Sequence, residues 1–440
     1  MAGVKLGTSG NLATAFHIAA GALSAVLHGR ALDDALAALA STALPADRAA
    51  AQDVAYCACR RLNMLGDLAK RLMRKPNPAI DALVQVALSE LIDHPERAHT
   101  VVDQAVIAVA PIRGGAYKGV LNAVLRRFMR ERETLLSCAR ESEANRLGYP
   151  PWWIARIRDA WPPNGDEVLM QGNARAPMTL RVNRRRVNAQ TYLARLREAG
   201  IQVEAAGADA IRLVRAQGAR SLPGFDDGWV SVQDLGAQLA APLLDTQPGM
   251  RVLDACAAPG GKSAHILELA DCELLALDRD DTRLDVVGTN LARLGLSAIT
   301  RAADAGALAS WWNGEPFDRV LLDAPCTASG VVRRHPDGKW LKRESDIEAL
   351  AGEQARLLAA MWQVLLPGGK LLYATCSVFP EENHRQTARF LTLHPDALPL
   401  PLDPWLASSD HPELSFRNGQ LLPEAHHDGF YYFLVAKRSR

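Results

Sequence analysis

Two cysteines stand just past the ends of two apolar runs. Cys326 closes the segment DAPC (323–326) after the run Phe317–Leu322, and Cys376 lies in TCS (375–377) after the run 369–374. If both runs are parallel strands of one open sheet, both thiols lie at its carboxyl edge, where such sheets bind ligands. A free cysteine is often only buried packing, but the helix-starting sequences beside both thiols would favour a nucleophilic thiolate. We therefore expect covalent chemistry at this edge.

A turn rich in small residues precedes the two cysteines in the chain. The segment DACAAPGGK (254–262) is typical of a strand end, a glycine turn and the start of a helix. It is not a phosphate-binding P-loop, which would need glycine at position 256, and it lacks the dinucleotide fingerprint GxGxxG. The third option is a turn whose backbone lets a nucleoside cofactor approach. The expected cofactor-binding residues of this cofactor turn are Cys256, Ala257, Ala258, Pro259, Gly260, Gly261 and Lys262.

Three aspartates follow other predicted strands. Asp278 ends the second strand, where a carboxylate suits hydrogen bonding to ribose hydroxyls, although an exposed structural aspartate is the alternative. Asp304 suits either an adenine amino group or the N-cap of a helix over 305–310. Asp323 would disfavour a thiolate at nearby Cys326 while directing its own carboxyl group into the same pocket.

The cofactor turn and the two thiols together indicate an enzyme that modifies a nucleic-acid base. Cytosine C5 is a poor nucleophile, but addition of a thiolate to C6 places carbanion character on C5, which can then take a methyl group from a sulfonium. Loss of the C5 proton and expulsion of the thiolate complete the reaction. Asp323 would hold or protonate ring N3, and the second thiol would assist departure of the first.

The elements that must position these residues fall into three segments. Apolar residues at three- and four-residue spacing predict an all-α bundle over residues 1–140, interrupted by connectors such as 74–78. Within it, Leu12–Leu27 is predicted to be a buried amphipathic helix and not a signal peptide. Residues 145–230 predict a small α+β linking module, with strands at 178–182, 201–205 and 210–214 and a helix at 189–199.

The last segment, residues 231–440, alternates short apolar runs with helical patterns. This alternation predicts a parallel sheet covered on both faces. The run Tyr431–Ala436 is predicted to add a late edge strand. The expected parallel strands are 252–254, 274–278, 299–302, 319–323 and 370–375.

Bulk composition sets limits on partners and compartment. A chain of 440 residues suffices for two or three domains, and 48% hydrophobic with 22% charged residues argues against disorder. The seven cysteines show no disulfide framework, no CxxC and no zinc-ligand spacing, so we expect reduced thiols, a cytoplasmic protein and no metal. We expect no membrane span, because apolar stretches are too short, and a monomer, because nothing indicates an obligate interface.

Two basic clusters offer alternative RNA contacts. A net charge of only +1 gives no general attraction for nucleic acid, so any attraction for RNA must come from local clusters of basic residues. Either cluster could contact phosphates or be ordinary solvated surface, and the sequence does not choose between them. The first cluster is Arg175, Arg181, Arg184, Arg185 and Arg186, and the second is Lys118, Arg126, Arg127, Arg130 and Arg132.

Three motifs resemble those of the RNA 5-methylcytosine methyltransferases. They are DACAAPGGK (254–262), LLDAPCTASGVVRRHPDGKW (321–340) and YATCSVFPEEN (373–383). The segments GVLNAVLRR (119–127), TLRVN (179–183) and 229–234 extend the resemblance to the bacterial 16S rRNA branch with a NusB-like N-terminal domain. The resemblance covers nearly the whole chain, and Ser263 replaces the threonine that often follows the GGK lysine.

This resemblance implies specific roles. Cys376 would add to C6, Cys326 would assist release, and Asp323 would act beside them at the base. S-adenosylmethionine would lie along the cofactor turn, with Asp278, Asp304 and Asp323 as further contacts. The target would be a cytosine of 16S rRNA (cytosine 967), bound with help from a NusB-like helical RNA-binding domain over 1–140. The linking module over 145–230 and a class I, Rossmann-like methyltransferase domain over 231–440 would follow.

Three other functions remain as alternatives. The core motifs do not exclude a tRNA cytosine-C5 methyltransferase, although tRNA-directed relatives commonly lack the NusB-like domain. A non-catalytic NusB-like RNA-binding or antitermination factor would not need both thiols and the acidic strand ends. An NAD-dependent dehydrogenase would need the absent GxGxxG in the cofactor turn.

Overall fold

The computed structural model describes residues 11–73, 75, 77–402 and 414–439. The chain forms two compact units. The first contains residues 1–174 and 332–343, and the second contains residues 175–331 and 344–440. Of the connector expected at 74–78, Arg74 and Pro76 lie outside the described residues.

The first unit is all-α, which confirms the predicted bundle. Leu12–Leu27 is a helix as expected, with Phe16 and Leu23 fully buried and Asn11 capping it by accepting the N–H of Ala13. The helices of this unit in its first segment are α1 Leu12–Leu27, α2 Leu32–Leu39, α3 Pro45–Arg60, α4 Leu62–Leu72, α5 Asp81–Asp93, α6 Ala98–Ala108, α7 Lys118–Arg140, α8 Glu143–Leu147, α9 Pro151–Ala160 and α10 Gly165–Asn173.

Helical structure therefore continues well past residue 140. The proline pair Pro150-Pro151 interrupts it only between α8 and α9, because Pro151 occupies the first turn of α9, where a missing N–H costs no hydrogen bond. The mixed α/β pattern expected from residue 145 onward begins only at Met178.

A short return segment, residues 332–343, also belongs to the helical unit. Lys339 is fully buried there and donates hydrogen bonds from Nζ to the carbonyl oxygens of Arg60 (2.9 Å) and Gly148 (2.8 Å). Burial lowers the pKa of Lys339 to about 7. The second part of the motif at 321–340 therefore packs within the helical unit. The sequence did not indicate this role.

The second unit begins with the small α+β module predicted from sequence. Its antiparallel sheet has the order β2-β3-β1-β4, and Tyr192 and Leu196 of its helix are fully buried in a core with Leu180. Its elements are β1 Met178–Val182, α11 Ala189–Glu198, β2 Val203–Ala205, β3 Ala210–Leu213 and β4 Val230–Val232.

The large sheet of the second unit has the order β10-β12-β9-β8-β5-β6-β7, with β11 paired to β12. Strands β5 to β9 are parallel to one another, as predicted. Its strands are β5 Arg251–Asp254, β6 Glu273–Asp278, β7 Ile299–Ala302, β8 Phe317–Asp323, β9 Leu365–Thr375, β10 Ala397–Leu400, β11 Gln420–Leu421 and β12 Phe430–Lys437.

The remaining helices and the 3-10 turns lie in both units. The helices are α12 Ala240–Leu244, α13 Gly261–Leu269, α14 Asp281–Leu294, α15 Gly338–Leu341 (in the helical unit), α16 Ser345–Val364 and α17 His384–Leu393. The 3-10 turns are Pro95–Arg97, Ile112–Gly115, Ala219–Ser221, Ala237–Leu239, Leu308–Ser310, Ser329–Val331 and Pro380–Glu382.

The prediction that Tyr431–Ala436 forms an edge strand is wrong. Strand β12 lies between β9 and β10 and is antiparallel to both. The outer partner β10 is only four residues long and contains Pro399, and the sequence analysis predicted no strand there. In the part of the chain that the structure describes, no helix is long and apolar enough to cross a membrane.

Candidate active site

The carboxyl ends of four neighbouring strands carry most of the predicted site residues. Asp254 ends β5, Asp278 ends β6, Asp323 ends β8, and Thr375, just before Cys376, ends β9. Since β6, β5, β8 and β9 are adjacent and parallel, these ends meet at one edge. The sheet therefore gathers the two thiol loops and the cofactor turn, as the sequence predicted.

The two thiols lie side by side. The Sγ atoms of Cys326 and Cys376 are 3.4 Å apart, and both side chains are partly exposed and free of disulfide. Backbone hydrogen bonds connect their loops, because Ala324 donates its N–H to the oxygen of Ala374 (2.9 Å) and Gly330 donates to the oxygen of Cys376 (2.8 Å). One small substrate atom can therefore meet both thiols in turn.

Cys326 is the thiol that keeps its proton. The hydrogen bond with Cys376 raises the pKa of Cys326 well above its usual value, and burial and the negative charge of Glu382 raise it further. The sequence named Asp323 as the carboxylate beside Cys326; Asp323 is paired with Lys262, and the charge of Glu382 also acts on this thiol. The helices that begin beside the thiols are short 3-10 turns, Ser329–Val331 and Pro380–Glu382.

Lys262 brings a positive charge to this edge. Its Nζ donates a 2.5 Å hydrogen bond to Oδ2 of Asp323, and its side chain is only 13% exposed. Burial lowers the pKa of Lys262, but the charges of Asp323 and Cys376 and the hydrogen bond raise it more, so the amine is protonated. The protonated amine therefore places a positive charge, largely shielded from water, at the edge where Cys376 lies.

The cofactor turn joins β5 to α13. Gly260 has φ +93°, and a Cβ there would lie 3.1 Å from Val287, so the turn needs glycine at this position. Oδ2 of Asp278 accepts the N–H of Ala258 (3.2 Å), which fixes the turn to the end of β6. A turn built mostly of small residues and held beside an acidic strand end fits a nucleoside cofactor.

Burial raises the pKa of two groups at the start of the cofactor turn. It raises the pKa of Asp254 to about 7, although Oδ2 accepts a 2.6 Å hydrogen bond from Ser263 Oγ. Burial, followed by the charges of Asp254, Asp323 and Asp278, raises the pKa of the Cys256 thiol. Cys256 is therefore a poor nucleophile.

The remaining two aspartates differ in their surroundings. Asp278 is 4% exposed, and its Oδ1 accepts the N–H of Asp280 at 3.1 Å. Asp304 follows β7, and its Oδ1 accepts hydrogen bonds from Gly306 (2.9 Å) and Arg356 (2.8 Å). The alternative reading of Asp304 as a helix N-cap is wrong, because only the 3-10 turn Leu308–Ser310 forms and Ala307 precedes it.

A buried carboxylate that the sequence reading missed lies behind the thiols. Glu382, at the end of a 3-10 turn, accepts hydrogen bonds from Thr327 and Ser377, the residues that directly follow Cys326 and Cys376. The segment YATCSVFPEEN displayed this glutamate six residues after the cysteine, but a local pattern does not reveal a partner 55 residues away.

The first basic cluster is not one surface. Arg181 is fully buried, forms a two-point ion pair with Glu268 and donates a 2.8 Å hydrogen bond to the oxygen of Gly261. It therefore supports the cofactor turn and is unavailable to RNA phosphates. In the second cluster, on α7, Lys118 and Arg130 are exposed.

Within the described residues, no group of three or more histidine, cysteine, aspartate or glutamate side chains could hold a metal ion.

Family models match three segments of the chain. The model described as 16S rRNA methyltransferase RsmB/F matches residues 241–436. The ferredoxin-like domain of RsmF/B-like methyltransferases matches residues 149–219, and the NusB family model matches residues 14–130. These matches confirm the fold class expected from the sequence: a NusB-like bundle, a linking module and a methyltransferase domain.

Whole-chain relatives agree with the family models. The ribosomal RNA small subunit methyltransferase B of Vibrio cholerae is 42% identical over 418 residues, 93% of this chain and 94% of its own length. The protein of that name from Pseudomonas putida is 44% identical over 430 residues, 95% of this chain and 97% of its own length. A methyltransferase homologue from Pyrococcus horikoshii superposes with a TM-score of 0.58 at 30% identity, over 67% of this chain and 97% of that one. The chain belongs to the 16S rRNA methyltransferase RsmB/F family.

Proposed function

We propose that this enzyme transfers a methyl group from S-adenosylmethionine to C5 of one cytosine in 16S rRNA through a covalent Cys376–C6 adduct. The observation that carries the proposal is the 3.4 Å approach of the Cys326 and Cys376 sulfurs beside the cofactor turn. Membership of the family supports 16S rRNA as substrate, and the resemblance of the motifs supports cytosine 967 as the target.

The first step is nucleophilic addition. Cys376 attacks as the thiolate and forms a bond from Sγ to C6 while the C5–C6 π electrons move to C5. The pair of Lys262 and Asp323 lies at the same edge and would supply the hydrogen bond or proton that ring N3 takes up as negative charge develops. The bound cofactor supplies an electrophilic methyl group for C5.

The second step is release. A base takes the proton from C5, the electrons of that bond restore the C5–C6 double bond, and the Sγ–C6 bond breaks with its electrons returning to Cys376. Cys326 assists because its thiol keeps its proton and can donate a hydrogen bond to the departing sulfur. The raised pKa of Cys326 therefore suits it to release and Cys376 to attack.

The cofactor would lie along Cys256–Lys262, the cofactor turn. The support is the positive φ angle of Gly260 and the hydrogen bond from the Ala258 N–H to Asp278. Asp278 ends β6 and Asp323 ends β8, the two strands that flank β5, and β5 leads into the cofactor turn. Asp304 would contact the cofactor only after its hydrogen bond from Arg356 is broken.

The partner would be 16S rRNA, free or in an early assembly intermediate. The NusB-like unit would help bind it, with exposed cations of α7 such as Lys118 and Arg130 meeting the phosphates. An rRNA substrate implies a cytoplasmic enzyme, and we propose that it acts as a monomer.

The test is the identity and position of the methylated nucleoside. Wild-type protein would be incubated with labelled S-adenosylmethionine and either 16S rRNA or bulk tRNA, and the digested RNA analysed by mass spectrometry. We expect 5-methylcytosine in 16S rRNA at a single site, and none with Cys376→Ala. Methylation of tRNA alone, or of a ring position other than C5, would contradict the proposal.

A further inference from the structure

The carboxylate of Glu382 connects the two thiol loops. It is fully buried, and Oε1 accepts the N–H of Thr327 at 2.8 Å while Oε2 accepts the Thr327 hydroxyl at 2.6 Å. Oε2 also accepts the Ser377 hydroxyl at 2.5 Å. Thr327 follows Cys326 and Ser377 follows Cys376, so one carboxylate holds the residue next to each sulfur.

The donors around Glu382 make it an acceptor on both oxygens. Gln354 of α16 adds a hydrogen bond from Nε2 to Oε1 at 3.1 Å. Burial raises the pKa of Glu382 above its usual value, and the hydrogen bonds from Ser377, Thr327 and Gln354 limit this rise. Hydrogen bonds from several donors are what a buried carboxylate needs to remain charged, so this group is built into the loops and not merely enclosed by them.

The backbone of Glu382 is held as firmly as its side chain. Tyr373 of β9 donates its hydroxyl to the carbonyl oxygen of Glu382 at 2.6 Å. Tyr373 lies three residues before Cys376 on the strand that carries that thiol. A second link runs beside the carboxylate, where the hydroxyl oxygens of Ser329 and Ser377 are 3.0 Å apart. The carboxylate thus lies at the centre of a buried polar network spanning both loops.

We propose that Glu382 is a positioning residue that sets the spacing of the Cys326 and Cys376 sulfurs, so that Cys326 reaches the adduct when Cys376 must leave. This inference rests on the proposed function, since it assigns a structural cause to the release step. Glu382 does not itself touch the substrate. Its loss should impair release more than cofactor binding, because its bonds go to the thiol loops and not to the cofactor turn.

Four replacements of Glu382 and its partners distinguish an effect on thiol spacing from an effect on stability. Glu382→Ala removes every bond to the loops, and a misplacement of this kind lowers kcat by about 10²-fold. We expect the KM for S-adenosylmethionine to stay unchanged and the protein–RNA adduct to accumulate. Glu382→Gln should restore most of kcat, because the Thr327 and Ser377 hydroxyls can turn and accept from the new amide.

The removal of single bonds gives a second measurement if Glu382→Ala fails to fold. Ser377→Ala and Thr327→Val each release one loop, and each should lower kcat by less than Glu382→Ala while accumulating some adduct. Glu381→Gln is the matched control, because the neighbouring carboxylate pairs with Arg385 and should leave kcat unchanged. Thermal unfolding reports the folded fraction of each variant.

The outcomes distinguish this inference from the proposed function. If the wild type forms a Cys376-dependent adduct but Glu382→Ala turns over normally when folded, the positioning role is wrong. If Glu382→Gln is as slow as Glu382→Ala, hydrogen-bonded spacing is not the cause and the assignment is overturned. If the wild type and the Cys326→Ala protein form no thiol-dependent adduct at all, the proposed function itself fails.

Discussion

Lys262 of the cofactor turn and Asp323 at the end of β8 form a 2.5 Å ion pair at the edge of the sheet. This pair joins the segment expected to hold the methyl donor to the segment that leads into Cys326. Because the lysine is mostly buried, its charge is felt by its neighbours more strongly than that of a surface lysine. Cys376 is one of those neighbours.

Replacing Lys262 should slow adduct formation. Lys262→Met keeps the length of the side chain but removes the positive charge that the edge offers to the negative charge developing in the base. The measurement is the rate of adduct formation at one fixed pH in a Cys326→Ala background. Lys370→Met, which removes a partly exposed partner of Asp245, is the control and should leave the rate unchanged. An unchanged rate for Lys262→Met would show that its charge does not assist the addition step.

Breaking the ion pair between Arg181 and Glu268 should strongly destabilise the second unit. Both side chains are buried, at 0% and 2% exposure, so Arg181→Met leaves an unpaired buried carboxylate, at a cost of about 3–5 kcal/mol. Denaturant unfolding measures the free energy of unfolding. The control Arg184→Met removes an exposed partner of Asp209 and should cost at most about 1 kcal/mol. Adding Glu268→Leu to Arg181→Met should recover stability, and equal costs for the two single variants would refute the buried-charge explanation.

A side chain at Gly260 should weaken cofactor binding. Gly260→Ala forces alanine into a left-handed conformation, which costs about 1–2 kcal/mol, and places a methyl group 3.1 Å from Val287. We expect a raised Kd for S-adenosylmethionine by titration calorimetry. Gly288→Ala is a matched control on α14, where the new methyl group meets nothing within 4 Å. Its Kd should equal that of the wild type, and the same Kd for Gly260→Ala would contradict the assignment of the turn.

Asp254 should make the protein less stable as pH rises from about 4 to 7. Its pKa is raised to about 7 in the fold, while its usual value is 3.8, so the folded state holds a proton that the unfolded state has lost in this range. Stability therefore falls with increasing pH across that window, by at most about 1.4 kcal/mol per pH unit, and changes no further above it.

The variant Asp254→Asn should remove this contribution. The free energy of unfolding, measured at several pH values, should fall less steeply between the two pKa values than in the wild type. Asp285→Asn, at an exposed position of α14, should retain the wild-type slope. A wild-type slope in Asp254→Asn would mean that Asp254 ionises normally.

Local patterns located the thiols and the cofactor turn because each follows a strand end. Parallel strands bring such ends together whatever their distance in sequence, so Asp254, Asp323 and Cys376 could be grouped before the structure was known. The order of the strands was not accessible in the same way. The outer strand beside β12 has a short sequence with a proline, and so β12 was placed at the edge.

Long-range pairing explains the other failures. Arg181 looked like one of several surface cations, but its partner Glu268 is 87 residues away and the pair is buried. Glu382 likewise accepts hydrogen bonds from Thr327, which lies in another loop 55 residues away. A charged side chain is buried only where partners satisfy it. Because these partners are distant in sequence, Arg181 and Glu382 were expected to be exposed or received no role.

Trapping of the covalent intermediate tests the central claim most directly. Labelled S-adenosylmethionine and 16S rRNA would be incubated with wild-type protein, Cys326→Ala, Cys376→Ala and the double variant, and then run on a denaturing gel. We predict that Cys326→Ala accumulates a protein–RNA adduct and that the double variant shows none. An adduct that depends on Cys326 would reverse the two roles, and methylation that continues in Cys376→Ala would contradict the covalent mechanism.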